Sequence, residues 1–193
     1  MPVIMEAYCA GARLFGENRV QEAQIKYPGL PEDIELHCIG HLQRNKAKTA
    51  ADLFSWVQSI DKLETAATIE KYCADTGKIM NILLEVNTSG EAAKQGFLSE
   101  RNLFECLEGL GKLPHIRLRG LMTIGPLGDD TERIRSSFRK LKLLFEQIRA
   151  EAGRPDLDTL SMGMSSDFET AVEEGATLVR IGSLLFGARE PVK

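Results

Sequence analysis

The sequence lacks any segment suited to entering or crossing a membrane. Its apolar runs stay well below the roughly 18 residues that a membrane-spanning helix needs. The opening residues, MPVIMEAYCAG, have no basic stretch ahead of a long apolar one and do not resemble a signal peptide. The formal net charge of -4 gives no electrostatic reason to expect nucleic acid or an anionic membrane as a partner. We therefore expect a cytoplasmic protein with no nucleic-acid or membrane partner.

Cysteine and histidine are too few and too scattered to predict disulfides or a metal centre. The four cysteines lie about thirty residues apart without a CxxC pair, which is typical of buried free thiols in a reducing compartment. His37 and His41 are close in sequence, but the interval between them leads from a predicted strand into a turn. Without a shared helical face, an HExxH motif or a third ligand, no metal site is expected.

The sequence does contain a repeated alternation of short apolar runs and amphipathic stretches. Most of the apolar runs are continuous rather than alternating, which indicates strands that are covered on both faces. Helical stretches lie between them, so the order is a repeated β-α unit with parallel strands and right-handed crossovers. The seven predicted strands are 12–18, 35–40, 55–61, 81–87, 117–125, 159–164 and 177–182.

The predicted fold is an α/β TIM-type (β/α)8 barrel whose first strand is missing from this sequence. Such a barrel begins with a strand, whereas here only a helix near Pro2 precedes the first predicted strand. An open doubly wound sheet is the structural alternative. The barrel is favoured because neither GxGxxG nor GxxxxGK[ST] follows an early strand, and the phosphate-type signal follows the last two strands. We expect residues 1–193 to form a single, N-terminally truncated barrel domain.

The strongest candidate for a binding site lies within residues 161–187. The strand TLSMGM runs into Ser165 and Ser166 at a predicted helix start, where free N–H groups suit a phosphate. The next strand ends in Gly182 and Ser183, and a glycine there lets the backbone approach a ligand closely. Two such turns on neighbouring strand ends could hold one phosphate. Ordinary helix capping and a tight turn would explain the same residues.

Arg180 and two asparagines are the remaining candidates. Arg180 stands inside an apolar strand, where a charge is costly to bury without a partner. It could point at a ligand in the barrel mouth, or it could form a structural ion pair with Glu17 or Glu85. Asn18 and Asn87 end strands and could line the same mouth. For a lone asparagine, pinning a loop or capping a helix is the commoner role.

Six segments of the sequence together resemble the pyridoxal phosphate homeostasis (PLP-binding protein) family. They are FGENRVQEA, HCIGHLQRNK, VQSID, VNTSGEAAKQGF, LRGLMTIG and LSMGMSSDFETAVEEGATLVRIGSLLFG. The resemblance covers essentially the whole chain and implies the barrel of alanine racemase N-terminal domains, with pyridoxal 5'-phosphate (PLP) as cofactor. The implied site consists of Ser165, Gly182 and Ser183 at the phosphate, Arg180 at the pyridine nitrogen, and Asn18, Asn87, Met122, Ser161 and Met162 around them.

The resemblance also implies an anchoring lysine for which this sequence has no match. Family members carry a strand of the type AVSKT before the first helix, and the lysine of that strand bonds covalently to PLP. Here Met1 and Pro2 open the helix directly, and Lys46, Lys48 and Lys94 stand elsewhere, so none of them is predicted to be the anchor. We expect reversible binding of PLP or phosphate, and a monomer or weak self-association.

The predicted function is PLP binding in intracellular PLP (vitamin B6) and amino-acid homeostasis, without catalysis. If Arg180 donates a hydrogen bond to the pyridine nitrogen, that nitrogen stays unprotonated and PLP is a weaker electron sink. The sequence also stops soon after the last predicted strand, so no second domain is expected to supply a catalytic acid or base. The alternatives are a small PLP-dependent racemase-like enzyme, another phosphate-binding barrel enzyme, and an interaction protein that no longer holds PLP covalently.

Overall fold

The described part of the chain forms a curved sheet of seven parallel strands with helices packed on its outer face. The computed structural model describes residues 2–91, 93–128, 130–151, 153–154 and 156–187. The strands are β1 (Leu14–Glu17), β2 (Glu35–Cys38), β3 (Trp56–Ile60), β4 (Met80–Glu85), β5 (Ile116–Met122), β6 (Thr159–Met164) and β7 (Leu178–Arg180). All seven predicted strands are confirmed. Each strand pairs with the next one along the chain, which excludes the doubly wound alternative, because its strand order reverses at a switch point.

Between successive strands the chain crosses the outer face of the sheet in helices, and one further helix precedes β1 and another follows β7. They are α1 (Pro2–Cys9), α2 (Val20–Lys26), α3 (Ala47–Leu53), α4 (Leu63–Thr76), α5 (Glu100–Leu110), α6 (Thr131–Glu151), α7 (Phe168–Glu173) and α8 (Ser183–Phe186). The long helix α6 is capped by Asp130, whose Oδ1 accepts a hydrogen bond from the Arg133 N–H at 3.1 Å. Among the described residues, no helix combines the length and the hydropathy that a bilayer crossing requires.

The strands have two buried faces, which explains their continuous apolar sequences. Successive side chains along a strand point alternately to opposite faces. In β4, Ile82 and Leu84 join the large core beneath the helices. Leu83 lies between them in sequence and packs inside the barrel against Trp56 and Met122.

The barrel is nearly closed, with a gap between its first and last strands. Within the described residues, β1 pairs only with β2, and β7 pairs only with β6. Leu14 on β1 is 56% exposed, and the apolar side chains of α8, just after β7, are exposed as well. The gap has the place of an eighth strand in a closed (β/α)8 barrel.

Two local expectations are corrected by the structure. All four cysteines are free, but Cys9 is exposed rather than buried. The predicted helix start at Ser165 and Ser166 is wrong, because Asp167 occupies the N-cap of α7 and both serines precede it. Asp167 Oδ1 accepts a hydrogen bond from the Met164 N–H at 2.6 Å, and this bond closes a tight turn before the helix can begin.

Candidate functional site

Arg180 extends from the end of β7 across the interior of the barrel. Its Nη1 donates a hydrogen bond to Ser161 Oγ on β6 at 2.6 Å. Its Nη2 donates to the main-chain oxygen of Thr123, just after β5, at 2.7 Å. A guanidinium has five N–H donors, so these two bonds leave three, which have no acceptor within the described part of the chain. The side chain is therefore held in place while donors remain for a ligand.

The charge of Arg180 is maintained without an ion pair among the described residues. Burial lowers the pKa of Arg180 to about 10, and the nearby carboxylates of Glu85 and Asp167 oppose this shift. The guanidinium therefore stays protonated at neutral pH. Of the two alternative ion-pair partners, Glu17 faces the helical layer and contacts Lys26 Nζ on α2 at 2.8 Å, so it does not pair with Arg180. Glu85 does influence Arg180, but through space.

The ends of β6 and β7 bring Ser165, Gly182 and Ser183 together. The N–H groups of Gly182 and Leu184 both point at Ser165 Oγ, at 3.1 and 3.4 Å. Two amide donors converging on one oxygen provide an arrangement that also suits a phosphate oxygen. A Cβ added to Gly182 would meet nothing within 4 Å, so the backbone there is open to a ligand. Ser183 follows as the first residue of α8 and is exposed.

A cavity of about 270 Å³ opens at the carboxyl ends of β1, β2 and β4. Asn18, Glu85, Asn87 and Lys94 are among the residues that line it. Asn18 can approach because the turn after β2 contains Gly40, where an added Cβ would overlap the Asn18 carbonyl oxygen. Glu85 links the cavity to Arg180, since it lines the former and acts on the pKa of the latter.

The side chain of Asn87 pins the loop that follows β4. Its Nδ2 donates to the main-chain oxygens of Glu91 and Lys94 at 2.9 and 3.2 Å, and its Oδ1 accepts from the Gly90 N–H at 3.1 Å. Asn87 thus has the loop-pinning role that is common for asparagine, and it lines the cavity at the same time. Lys94 is fixed in that loop, with Nζ donating to the Gly125 oxygen at 2.5 Å.

Glu85 is a buried carboxyl group at the end of β4. Burial and, to a smaller extent, the neighbouring Asp61 carboxylate raise the pKa of Glu85 to about 7, with Arg180 acting in the opposite direction. At neutral pH this group therefore exists in both the charged and the neutral form. It can accept or donate a hydrogen bond at the cavity wall.

Ser161, Met122 and Met162 lie close in the sheet but face different sides of it. Ser161 and Met122 face the interior of the barrel, where Met122 packs against Trp56. Met162 follows Ser161 directly and therefore points the other way, into the core beneath the helices. The side chain of Met162 is thus directed away from Arg180, and its place in the predicted site rests on the resemblance alone.

Three polar residues near the site were not predicted from the sequence. Thr123 supplies a main-chain acceptor to Arg180, Asp167 closes the turn before α7, and Gln58 accepts a hydrogen bond from Ser161 Oγ at 2.7 Å. A glutamine inside the strand WVQSI is itself a signal, because a buried amide needs hydrogen-bond partners. No sequence signal distinguished Asp167 from its polar neighbours.

His37 and His41 contact other side chains of the barrel. His37 stacks on Trp56 with ring centroids 5.0 Å apart, and His41 Nδ1 lies 3.7 Å from Asp61 Oδ2. In the part of the chain that the structure covers, no group of three or more His, Cys, Asp and Glu side chains is placed to hold a metal ion.

Fold and site together define a TIM-type barrel protein with a cation and converging amide donors at the ends of its last two strands. Residues 1–190 match the family model described as alanine racemase, N-terminal domain. The pyridoxal phosphate homeostasis protein of Vibrio alginolyticus is 43% identical over 192 residues, which cover 97% of this chain and 81% of that protein. The chain therefore belongs to the alanine racemase N-terminal domain family and, within it, to the pyridoxal phosphate homeostasis proteins.

Solved structures give the same family and fold. PipY of Synechococcus elongatus PCC7942, in a structure with PLP bound, has a TM-score of 0.87 and 38% identity, covering 96% of this chain and 87% of that one. Alanine racemase of Clostridium difficile 630 has a TM-score of 0.80 at 17% identity, over 98% of this chain and 51% of the enzyme. The second likeness shows the fold alone. The predicted family and barrel fold are confirmed.

Proposed function

We propose that this chain binds PLP reversibly and acts in cytoplasmic PLP and amino-acid homeostasis without catalysing turnover. The observation behind the proposal is that Arg180 and the amide groups of Gly182 and Leu184 present donors at one strand end. The name of the Vibrio relative and the PLP in the PipY structure support the choice of ligand. In this proposal residues 1–193 act as one domain.

The residues present fit the two charged or polar ends of PLP. The Gly182 and Leu184 N–H groups, with the hydroxyls of Ser165 and Ser183, are the proposed phosphate ligands. Ser165 Oγ now accepts from both amides and would turn to donate to the phosphate. The free donors of Arg180 would meet the pyridine nitrogen, and Ser161, Met122, Asn18 and Asn87 would complete the surroundings of the cofactor.

The chemistry of Arg180 favours binding over catalysis. Bound PLP supplies an electron sink, whose strength depends on protonation of its ring nitrogen. A guanidinium remains charged at ordinary pH and offers only donors, so Arg180 would hold that nitrogen unprotonated. A site of this kind binds PLP and keeps it a weak electron sink.

Titration of the purified protein with PLP tests the proposal. We expect saturable binding by absorbance and by quenching of the single tryptophan, reversed by dialysis, with no amino-acid racemisation. Inorganic phosphate should compete, because it would occupy the same amides. Turnover of an amino acid would favour the racemase-like alternative, and absence of any PLP binding would favour the interaction protein.

A further inference from the structure

A line of hydrogen bonds connects Arg180 to the opposite end of the barrel. From Arg180 Nη1 it passes to Ser161 Oγ at 2.6 Å, and from Ser161 Oγ to Gln58 Oε1 at 2.7 Å. Gln58 Nε2 then lies 2.7 Å from His37 Nδ1, and His37 Nε2 lies 3.2 Å from Glu35 Oε1. Glu35 is the first residue of β2, whereas Arg180 is the last residue of β7. We call these five residues the interior network.

The direction of every bond in the interior network follows from its two ends. Arginine only donates, so Ser161 Oγ accepts from Arg180 and directs its own hydrogen to Gln58 Oε1. The amide Nε2 of Gln58 must then donate to His37, which makes Nδ1 an acceptor. The neutral ring consequently carries its hydrogen on Nε2 and donates it to the Glu35 carboxylate. One arrangement satisfies all five groups.

The middle of the interior network is buried. Ser161, Gln58 and His37 are 0%, 1% and 4% exposed, whereas the Glu35 side chain is 42% exposed. The His37 ring stacks on Trp56 at an angle of 15°, and the Arg119 guanidinium lies over Trp56 at 5.1 Å. Burial also lowers the pKa of His37, in keeping with a neutral ring. Because a buried polar group without a partner is costly, each member limits the freedom of the next.

We propose that Gln58 and His37 are positioning residues that hold the Arg180 guanidinium, through Ser161, in the orientation that meets the ligand. The proposal rests on the proposed function in so far as the ligand is PLP. An apolar residue at position 58 would fill the same space at less risk to stability. The positioning of Arg180 explains why an amide stands there instead. The phosphate end of the site has no part in the interior network.

Gln58→Met is the main test, because it cuts the interior network and nearly conserves volume. In the unliganded parent, nitrogen NMR should show His37 as the Nε2–H tautomer, easily assigned among three histidines, and separate Arg180 Nη signals from slow rotation. In the variant, we expect the His37 tautomers to mix and the Arg180 signals to merge. PLP should bind about tenfold more weakly with a shifted absorption maximum, while inorganic phosphate binds as in the parent.

Two further variants keep the test decisive. Ser55→Ala removes a hydroxyl that donates to the Leu36 oxygen at 3.2 Å, outside the interior network, and should change none of these readouts. Gln58→Glu still accepts from Ser161 but cannot donate to His37, so His37 should take a second proton while the Arg180 signals stay separate. Gln58→Glu thus tests the direction of the hydrogen bonds. If Gln58→Met fails to fold, Gln58→Leu, which likewise removes both polar atoms, takes its place with the same expected results.

The outcomes separate the positioning role from the proposed function. If the parent binds no PLP, the proposed function is wrong. The positioning role is then tested only by the NMR signals of the unliganded parent and variants. If folded Gln58→Met keeps separate Arg180 signals and the PLP affinity of the parent, the positioning role is wrong. A neutral His37 in Gln58→Glu would overturn the assigned direction of the hydrogen bonds.

Discussion

Arg180 Nη2 donates a hydrogen bond of 2.7 Å to the Thr123 main-chain oxygen, which ties the end of β7 to the end of β5 across the intervening strand. A main-chain acceptor does not depend on the identity of a side chain, so this bond positions the guanidinium whatever residue stands at 123. The planar fork of arginine makes this contact and the Ser161 contact together, and a lysine ammonium lacks that fixed geometry.

Substitution of Arg180 should reduce PLP binding in proportion to the change in charge. Arg180→Ala removes charge-assisted donors and should weaken binding about ten- to a hundredfold, with some loss of stability. Arg180→Glu places a negative charge beside an anionic ligand and should abolish binding. Equilibrium titration checks both. Arg101→Glu, at a side chain 85% exposed on α5, makes the same charge change and should bind normally. Parental affinity in both Arg180 variants would remove Arg180 from the site.

Two glycines should respond oppositely to alanine. Gly182 has φ −115° and open space around it, so Gly182→Ala should change stability by less than about 0.5 kcal/mol. Its Cβ would still stand beside the proposed phosphate, and affinity for phosphate and PLP should fall. Gly163 has φ +92° and a Cβ there would lie 2.5 Å from Ala171 Cβ. Gly163→Ala should therefore destabilise the fold by roughly 1–3 kcal/mol or more.

Urea denaturation and phosphate titration separate these two effects. Unchanged phosphate affinity in Gly182→Ala would show that the amide of that residue does not contact the anion. Unchanged stability in Gly163→Ala would show that the strand end can relax, contrary to the close packing of β6 against α7.

Much of the fold was predictable because the strands are covered on both faces and therefore appear as continuous apolar runs. The strand order followed from the repeated β-α unit, and the site edge followed from where parallel strands end. Contacts inside the barrel were not predictable in this way. Gln58 meets His37 across 21 residues and Ser161 across 103, so their pairing exists only once the sheet has curled.

The predicted site residues differ in how far local sequence could place them. Ser165 and Gly182 lie just beyond the ends of the neighbouring strands β6 and β7, so topology alone brings them together. Met162 illustrates the opposite case, since strand alternation turns it away from Ser161. Asp167 shows a third limit: serine and aspartate are both common at the N-cap, and only the folded turn shows that Asp167 takes this position, with its side chain bonded to the Met164 N–H rather than to the helix.

Stability should depend on pH through Glu85. Its pKa is raised by burial from 4.5 to about 7. Between these values the unfolded carboxyl loses its proton while the folded one keeps it, so the free energy of unfolding falls as pH rises. The loss is absent below pH 4.5 and reaches about 3 kcal/mol above pH 7. The free energy of unfolding of Glu85→Gln should not decline over this range. At pH 8 it should exceed that of the parent by up to about 3 kcal/mol.

Urea denaturation of the unliganded protein at several pH values between 4.5 and 8 measures the effect. Glu32→Gln, at an exposed position, is the control and should follow the parent at every pH. If the curves of parent and Glu85→Gln run parallel, the carboxyl group of Glu85 does not titrate in this range.

The last prediction concerns the gap between β1 and β7. Within the described residues, the outer edge of each of these strands has no strand beside it, and Leu14 and Leu184 are largely exposed. Unpaired strand edges and bare apolar surface favour association with other chains. We expect the 193-residue chain to be marginally stable and to self-associate, and a form extended at its N-terminus by a strand of the type AVSKT to melt higher and elute as a monomer.

The expected gain can be bounded from the contacts that such a strand would make. About five ladder hydrogen bonds at roughly 1 kcal/mol each, together with a few buried aliphatic side chains, are comparable to the usual total stability of about 5–15 kcal/mol. The lysine of the added strand should also retain PLP covalently after borohydride reduction. A matched extension with proline at its centre cannot complete the ladder and should restore neither property. If the 193-residue chain is monomeric and melts as high as the extended form, the added strand does not fill the gap and the predicted eighth strand is wrong.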